Sequence, residues 1–295
     1  MIPAEALEQQ TDFHHPVTVQ EAVRLLAKLG TNAIVFAGGT WLMRAPAPSR
    51  HYVSLGRVAA LRQLVITPET VRIGAAVTHD KLAAELQGLP GLEGLAVAAK
   101  RAANPAIRRR ATVGGNLCTK EFPAADLVPA LLAAEAMVKV VTPEGQANQS
   151  LLAYLDWRRE AAAQNHLLVS VEVPQRAGRL LAHARLTLRR AGDYPVALIS
   201  LSARPDAKNQ LADVVVAVGA VEDQARRWPG LEQRLTGATA DKAFAVKMAQ
   251  ELVADFRGRE GPEVPDWYRL HVLPELLGRA MAQLQERLAN GGRAA

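Results

Sequence analysis

Two Gly-Gly pairs, each with a threonine within two residues, are the residues of this sequence whose type and spacing point most directly to chemistry. The first pair lies in Gly38-Gly39-Thr40 and the second in Thr112-Val-Gly-Gly-Asn116. Glycine lets the backbone approach a ligand closely and turn its N–H groups toward one anion, and a neighbouring hydroxyl adds a donor. A diphosphate suits such a site. Neither pair belongs to a GxGxxG fingerprint or a GxxxxGK[ST] P-loop, so those two phosphate-binding folds are not indicated.

A tight turn alone explains one Gly-Gly pair well. Two pairs, together with the polar residues Asn116 and Asp126, favour the ligand site over two unrelated turns. The basic stretch Arg108–Arg110 precedes the second pair, and it is interpreted either as a solvated charged loop or as an electrostatic aid to phosphates or to docking.

Other chemistries find little support among the remaining residues. Cys118 is the only cysteine, which excludes an intrachain disulfide, a CxxC redox pair and a cysteine-bound iron–sulfur cluster. We expect Cys118 to be a small buried residue rather than a redox thiol. The seven histidines show no metal-ligand spacing, and His79 is expected simply to begin a helix. No GxSxG motif and no paired-carboxylate signature is present. Redox chemistry would therefore need a bound organic cofactor.

Helices and strands alternate around the two glycine pairs. The capping box Thr18-x-x-Glu21 predicts a helix over 18–29, which ends at Gly30. A short apolar run over 33–37, of the buried-strand type, leads directly into the first pair. Further runs predict strands over 51–55, 71–75, 137–141, 167–173, 180–188, 196–203 and 214–218, and helices over 81–86, 91–103, 126–136, 240–256 and 266–289.

The chain is long enough for two domains, since it has 295 residues. The pattern changes around 175–178, from mixed helices and strands to three strands followed by two long helices. We therefore predict one domain over 1–176 and a second over 177–295.

The composition is that of an ordinary globular protein. Hydrophobic residues make up 49% and charged residues 22%, no apolar run is long enough to span a bilayer, and the first residues lack a basic signal-peptide region, so we expect a cytoplasmic location. The net charge of +6 permits an anionic partner without requiring one. Aromatic residues, at 4%, are too scarce for the stacking platforms of single-stranded nucleic-acid binders.

Several segments in order resemble the FAD-binding medium subunit of the molybdenum hydroxylases, a family that includes carbon monoxide, xanthine and nicotinate dehydrogenases. The two glycine motifs are the specific part of the resemblance, and together the matching segments account for essentially the whole chain. These segments are Phe36–Thr40, Ile73–His79, Thr112–Leu117, Pro123–Leu127, Arg189–Asp193 and Pro265–Arg269.

The resemblance implies a fold of class α+β. A PCMH-type FAD-binding domain of two α/β subdomains would be followed by a smaller domain with an antiparallel sheet and C-terminal helices. It also implies an oxidoreductase subunit in a heteromeric complex, with a molybdopterin-containing large subunit and a [2Fe–2S] small subunit as partners. Electrons would reach FAD from the [2Fe–2S] clusters and leave to NAD+, oxygen or a quinone. No residue of this chain would be catalytic, because the cofactor carries the chemistry.

Carried over position by position, the resemblance implies a set of FAD-binding residues. They are Val35, Phe36, Ala37, Gly38, Gly39, Thr40, Trp41, Leu42, Thr112, Val113, Gly114, Gly115, Asn116, Asp126 and Leu168.

The sequence departs from the family at two places near the expected flavin. Trp41 stands where relatives usually have a small or polar residue. Leu186 or Leu188 occupies the region where relatives often carry a lysine, and Arg185 and Arg189 are the two candidates to replace it.

Two other functions remain as alternatives. A stand-alone flavin oxidase of the vanillyl-alcohol type would carry its own substrate pocket. A nucleic-acid-binding protein would need a basic stripe with aromatic residues, whereas the sequence offers one arginine triplet, at 108–110.

Overall fold

The computed structural model describes residues 12–44, 51–120, 122–160, 165–189 and 193–291. Within them the chain forms three separate sheets, each with its own helices and its own apolar core. Two of these units share the N-terminal part of the chain, and the third follows residue 179. The predicted α+β class is confirmed.

The first unit is a small parallel sheet with one helix. Its strands are paired in the order β1-β3-β2, and helix α1 is capped as the sequence predicts, because the Thr18 hydroxyl accepts a hydrogen bond from the Glu21 N–H at 3.1 Å. The apolar stripe of the helix packs on the sheet, with Val23 and Leu26 buried. The elements are β1 Asp12–His14, α1 Val19–Leu29, β2 Ala33–Phe36 and β3 His51–Ser54.

The second unit contains a five-stranded sheet in which every neighbouring pair is antiparallel, in the order β4-β5-β8-β6-β7. Its strands are β4 Leu64–Ile66, β5 Thr70–Gly74, β6 Met137–Thr142, β7 Gly145–Ser150 and β8 Leu167–Pro174. Its helices are α2 His79–Glu85, α3 Glu93–Arg101, α4 Pro105–Arg108, α5 Val113–Cys118, α6 Leu127–Ala133 and α7 Leu151–Trp157. Every residue of α6 is buried, as expected for a helix that is apolar on all sides.

The third unit is a four-stranded antiparallel sheet, in the order β12-β11-β10-β9, covered by helices. Trp228 is fully buried in its core. The strands are β9 Leu180–Thr187, β10 Pro195–Pro205, β11 Leu211–Gly219 and β12 Arg226–Arg227. The helices are α8 Pro229–Leu235, α9 Lys242–Leu252, α10 Asp266–His271 and α11 Leu273–Gly291.

Three local predictions differ from the structure. Strand β2 is only half-buried, with Val35 38% exposed, because it is the edge of its sheet and faces a cavity. The helix predicted over 266–289 is two helices, since Pro274 has no N–H to continue the ladder across the break. Strand β7 was not predicted because its sequence, GQANQS, is polar on both faces, as an edge strand allows.

No helix in the described part of the chain is both long enough and apolar enough to cross a bilayer.

Candidate functional site

A cavity of about 840 Å³ lies where the three units meet. Strand β2 and the glycine turn after it form one wall. Helices α4 and α5, the start of β8, and Arg185 on β9 form the others. Most of the residues predicted to bind FAD line it. They are Val35, Ala37, Gly38, Gly39, Thr40, Trp41, Leu42, Thr112, Gly114, Gly115, Asn116, Asp126 and Leu168.

Two of the predicted residues do not line the cavity. The Phe36 ring packs against the rings of Phe13 and Tyr52, with centroids 5.6 Å and 6.0 Å away. Val113 is completely buried in the core of the second unit. Both lie next to lining residues in sequence, but their side chains point to the other side of the backbone. They support the wall and do not form its surface.

The first glycine turn presents free backbone donors to the cavity. The N–H groups of residues 38–41 have no hydrogen-bond partner among the described residues. Gly39 has φ +71°, in the left-handed region that glycine adopts without strain, and a Cβ there would lie 2.9 Å from the Phe36 ring. Neighbouring unpaired N–H groups at such a turn form a concave site for an anion.

The two glycine turns are in direct contact. A Cβ on Gly38 would collide with the carbonyl oxygen of Arg110, two residues before Thr112. The absence of a side chain at Gly38 therefore lets the backbone of the first turn lie against the backbone that leads into the second.

The second glycine turn differs from the prediction. Residues 113–118 form helix α5, whose N-cap hydroxyl, on Thr112, accepts from the Gly115 N–H at 3.1 Å. The other N–H groups of the turn are also used inside the protein: Val113 donates to Val77 O at 2.9 Å, Gly114 to Ala75 O at 2.7 Å, and Asn116 to Thr112 O at 2.9 Å. The expectation of a second set of free N–H donors is wrong, because a helix N-terminus packed against the end of β5 uses them.

A buried ion pair forms another part of the cavity wall. Arg185 Nε lies 2.5 Å from Asp126 Oδ1, and the two side chains are only 9% and 7% exposed. Arg185 also donates from Nη2 to the backbone oxygen of Asp193 at 2.6 Å. Burial raises the pKa of the Asp126 carboxyl above its ordinary value, and the Arg185 guanidinium acts in the opposite direction. The pair places a guanidinium and a carboxylate on the same wall.

Of the two arginines considered as replacements for a lysine, only Arg185 reaches the cavity. The Arg189 side chain is 75% exposed and lies 3.7 Å from Glu263 on the surface. Residues 190–192, which belong to the predicted second-domain motif, lie outside the described residues.

Three aromatic rings stand together at one side of the cavity. Trp41 lies 4.6 Å from Phe122 and 6.4 Å from Tyr194, measured between ring centroids. The Arg44 guanidinium covers two of the rings, 5.3 Å from the Trp41 centroid and 5.4 Å from that of Tyr194, at cation–π distance. The sequence singled out Trp41 alone. Phe122 and Tyr194 were missed because they come from separate segments that only the fold brings together.

Cys118 lines the cavity without being activated. Its Sγ lies 3.1 Å from the Tyr154 hydroxyl, which lies 3.0 Å from His166 Nε2. Burial raises the pKa of the Cys118 thiol, so the nucleophilic thiolate is disfavoured. Cys118 is only partly buried, not fully buried as predicted, and its packing against the core of the second unit agrees with the structural role expected for it.

His79 is a lining residue that the sequence did not identify as functional. It begins α2, as expected, and its side chain is buried, at 3% exposed. Burial lowers the pKa of His79 to about 4, with the Thr112 backbone acting to raise it and Arg108 to lower it. No group of three metal-ligating side chains occurs in the part of the chain that the structure describes. The only signal in the sequence was the place of His79 at the end of the Ile73–His79 motif.

Family models match nearly all of the chain. Residues 8–176 match the FAD binding domain in molybdopterin dehydrogenase, and residues 182–284 match the CO dehydrogenase flavoprotein C-terminal domain.

Individual proteins agree with the family models. The carbon monoxide dehydrogenase medium chain of Hydrogenophaga pseudoflava is 30% identical over 260 residues, which cover 83% of this chain and 90% of that protein. The xanthine dehydrogenase FAD-binding subunit of Escherichia coli O157:H7 is 24% identical, over 92% of this chain and 94% of the relative. A solved structure of the H. pseudoflava carbon monoxide dehydrogenase superimposes with a TM-score of 0.85 at 26% identity, over 92% of this chain and 96% of that one.

Proposed function

Because the chain belongs to the family of FAD-binding domains of molybdopterin dehydrogenases, we propose that it is the electron-transfer subunit of such an oxidoreductase. In this role it connects, through FAD, the [2Fe–2S] clusters of a partner subunit with NAD+, oxygen or a quinone. The observation that supports the proposal most strongly is the cavity, because free backbone N–H groups of the first glycine turn lie on one wall and a buried ion pair on another.

The cavity suits FAD in size and in chemistry. Its volume of about 840 Å³ lies within the range of roughly 300–1,000 Å³ usual for cofactor sites. FAD carries two phosphates, and the N–H groups of 38–41, which have no partner among the described residues, can donate hydrogen bonds to them without a metal ion. Apolar side chains such as Val35 and Leu168 supply surface for a flat ring system.

We assign the FAD contacts to the cavity-lining residues of the predicted set. The first turn, with Thr40, would hold the diphosphate through its backbone. Thr112 and the small residues of α5 would form the wall that the cofactor lies against. Arg185, paired with Asp126, would place a positive group toward the cofactor where relatives often carry a lysine.

The titratable groups at the cavity support a binding role and not an acid–base role. Asp126 is held by Arg185, the raised pKa of Cys118 keeps its thiol protonated, and the lowered pKa of His79 keeps its imidazole neutral near pH 7. When bound, FAD supplies the redox chemistry. The residues of this chain would bind it, orient it and shield it from water.

The partners proposed for the chain are a molybdopterin-containing large subunit and a [2Fe–2S] small subunit. Relatives are known as medium chains or medium subunits, which supports a multi-subunit assembly. Cys118 alone cannot build the clusters that would deliver electrons, so they must come from another chain. No nucleic acid is proposed as a partner, and the cytoplasmic location stays a prediction.

We also propose two domains, residues 1–176 and 177–295. The support is that the two family models divide the chain between 176 and 182, and that the C-terminal sheet begins with β9 after this division.

A flavin titration of the purified chain tests the proposal. We expect one FAD per chain, released by heat or acid, because no cysteine or histidine stands in a recognised attachment motif. Flavin colour that stays with the precipitated polypeptide would contradict non-covalent binding, and failure to bind FAD at all would contradict the proposed function.

A turnover assay of the same sample separates the subunit from a stand-alone oxidase. The isolated chain should not turn over purines, aldehydes or heterocycles at the rates of about 1 s⁻¹ or more that are common for enzymes. Substrate-dependent flavin reduction at such a rate would favour the vanillyl-alcohol type of oxidase instead.

A further inference from the structure

His79 is a buried polar residue that is left unsatisfied at the wall of the cavity. Its ring nitrogens, Nδ1 and Nε2, are both buried, and neither has a hydrogen-bond partner among the described residues. The side chain nevertheless belongs to the lining of the cavity. Buried polar groups in folded proteins are nearly always hydrogen-bonded, so one with two empty positions calls for an explanation.

The position of His79 relates it to the first glycine turn. The His79 N–H donates to the Ala111 carbonyl at 2.9 Å. Gly38 packs against the carbonyl of Arg110, the residue before Ala111. The free N–H donors of the first turn and the start of α2 are therefore held against the same short segment, 110–111. The first turn and the His79 side chain both line the cavity, and both belong to backbone that adjoins this segment.

The charged groups around His79 do not provide it with a partner. Arg108 of α4 is the cation whose charge acts on it, and a guanidinium can only repel an imidazolium. Asp80 and Lys81, next on α2, are exposed. A contact with the Thr112 backbone acts to raise the pKa of His79, but neither ring nitrogen reaches a described acceptor in full hydrogen-bond geometry, so the N–H of the neutral imidazole is left without a proper partner there.

We propose that His79 binds FAD, by donating a hydrogen bond from its ring to the diphosphate. The inference rests on the proposed function, because it needs FAD in this cavity. Both nitrogens are covered in the present conformation, so the ring turns about its Cβ–Cγ bond to present one of them to the phosphate. His79 is thus a binding residue, and its unsatisfied nitrogens lower the stability of the FAD-free chain until one of them bonds to the phosphate.

This role predicts effects of opposite sign on stability and on binding. Replacing His79 with an apolar side chain removes two unsatisfied polar atoms from the interior, so the FAD-free chain should be as stable as wild type or more stable. The same change removes the donor, so FAD should bind more weakly. A histidine that only fills space in the core would show the reverse, with lower stability and unchanged affinity.

The experiment measures the FAD dissociation constant and the melting temperature of the FAD-free chain for wild type, His79→Leu and His79→Gln. We expect His79→Leu to weaken FAD binding by about tenfold or more, the loss typical of one hydrogen bond to a charged group, without lowering the melting temperature. His79→Gln keeps an N–H donor and should recover part of the affinity. Asp80→Asn, one residue further along α2 and exposed, is the matched control and should bind FAD like wild type.

The outcomes distinguish the two proposals. If wild type fails to bind FAD, the proposed function is wrong. If wild type binds FAD and His79→Leu binds it within about twofold of wild type, the role of His79 is overturned, since the lost donor would then be worth less than half a kilocalorie per mole. Should His79→Leu fail to fold, His79→Gln decides: weaker FAD binding with an intact fold supports the contact, and wild-type affinity together with a misfolded His79→Leu shows that the residue is structural.

Discussion

The two glycine turns look alike in sequence and differ in what their glycines do. In the first turn Gly39 adopts a positive φ, and the N–H groups of 38–41 have no hydrogen-bond partner among the residues that the structure describes. In the second turn Gly114 and Gly115 begin α5, and their N–H groups bond to Ala75 O and Thr112 Oγ1. A Gly-Gly pair therefore marks a place where side chains are excluded, and only the structure shows whether a ligand or the protein itself takes the space.

The atoms that an added Cβ would meet at each glycine of the second turn support the same distinction between the turns. A Cβ on Gly114 would lie 2.9 Å from both Cβ and O of Ala75, so this glycine is needed for packing against the end of β5. A Cβ on Gly115 would meet only the Thr112 hydroxyl, at 3.0 Å. We therefore assign the binding role mainly to the first turn and the positioning role to the second.

Gly39→Val should have the largest effect on FAD binding. A β-branched side chain at φ +71° is strained, and its Cβ would be forced against Phe36, so the turn cannot keep its donors in place. Losing two charge-assisted hydrogen bonds, at about 1.5–3 kcal/mol each, predicts an increase in the FAD dissociation constant of about 100-fold or more. Titration of FAD fluorescence measures this.

Gly56→Ala is the control for that variant, because a Cβ at Gly56 would have only ordinary contacts, the nearest being Ser54 Oγ at 3.6 Å. It should bind FAD like wild type. Equal affinity in wild type and Gly39→Val would show that the first turn is only structural and would remove the main difference between the two turns.

Gly114→Ala should act on stability more than on binding. Its Cβ has to displace the backbone of Ala75, and overpacking of this kind costs about 1–3 kcal/mol. Chemical denaturation should show the loss, while the folded fraction still binds FAD.

Gly115→Ala is the partner variant, and its smaller steric conflict should give a smaller loss of stability. From the sequence, Gly39 and Gly115 were both expected to bind FAD. If Gly115→Ala abolished FAD binding in a fully folded chain, that expectation would be restored and the division of roles between the turns would fail.

The pH dependence of stability tests whether His79, which lies beside the segment leading into the second turn, is buried and neutral in the folded chain. Burial lowers the pKa of His79 to about 4 and that of His183 to about 3, from an ordinary value of 6.5. The unfolded chain therefore binds protons that the folded chain does not, and stability falls as the pH decreases from 6.5 toward 4. At pH 5 each histidine should account for a loss of about 2 kcal/mol.

Unfolding by urea at pH 7 and pH 5 measures this difference. His79→Leu should reduce this difference by the contribution of one histidine, about 2 kcal/mol, whereas Gly56→Ala, which removes no titratable group, should leave it unchanged. An undiminished pH dependence in His79→Leu would mean that His79 is not the buried neutral group that the structure shows.

Arg189→Ala should have the smallest effect of all. Arg189 and Glu263 are 75% and 59% exposed and 3.7 Å apart, and such surface pairs contribute about 0–1 kcal/mol. Both stability and FAD affinity should stay near wild type. A marked loss of FAD affinity would show that Arg189, and not the buried Arg185, is the positive group at the cofactor.

The sequence predicted much of this molecule, because many of its signals are local. The helix α1 follows from the Thr18–Glu21 capping box, which acts within one turn. The family, FAD as its cofactor and the oxidoreductase class, all implied by the glycine motifs, are confirmed by the family models. Which residues contact FAD stays a prediction.

The features that the sequence missed depend on distant partners. Arg185 and Arg189 are four residues apart, so both would lie on the same face of a continuous strand, and the alternation of side chains along a strand cannot distinguish them. In the structure β9 ends at Thr187, so only Arg185 lies on the strand. The free or bonded state of the N–H groups in the two turns depends on carbonyls such as Ala75 O, which the fold supplies. The unsatisfied His79 is likewise visible only once its surroundings are packed.

A structure of the chain with FAD bound would show directly which of the two turns holds the diphosphate. We expect phosphate oxygens within about 3.2 Å of backbone N–H groups in 38–41, with the hydrogen bonds of Val113, Gly114 and Asn116 to Val77, Ala75 and Thr112 still intact. A diphosphate held instead by the N–H groups of residues 113–116, with those internal bonds broken and the first turn empty, would contradict it.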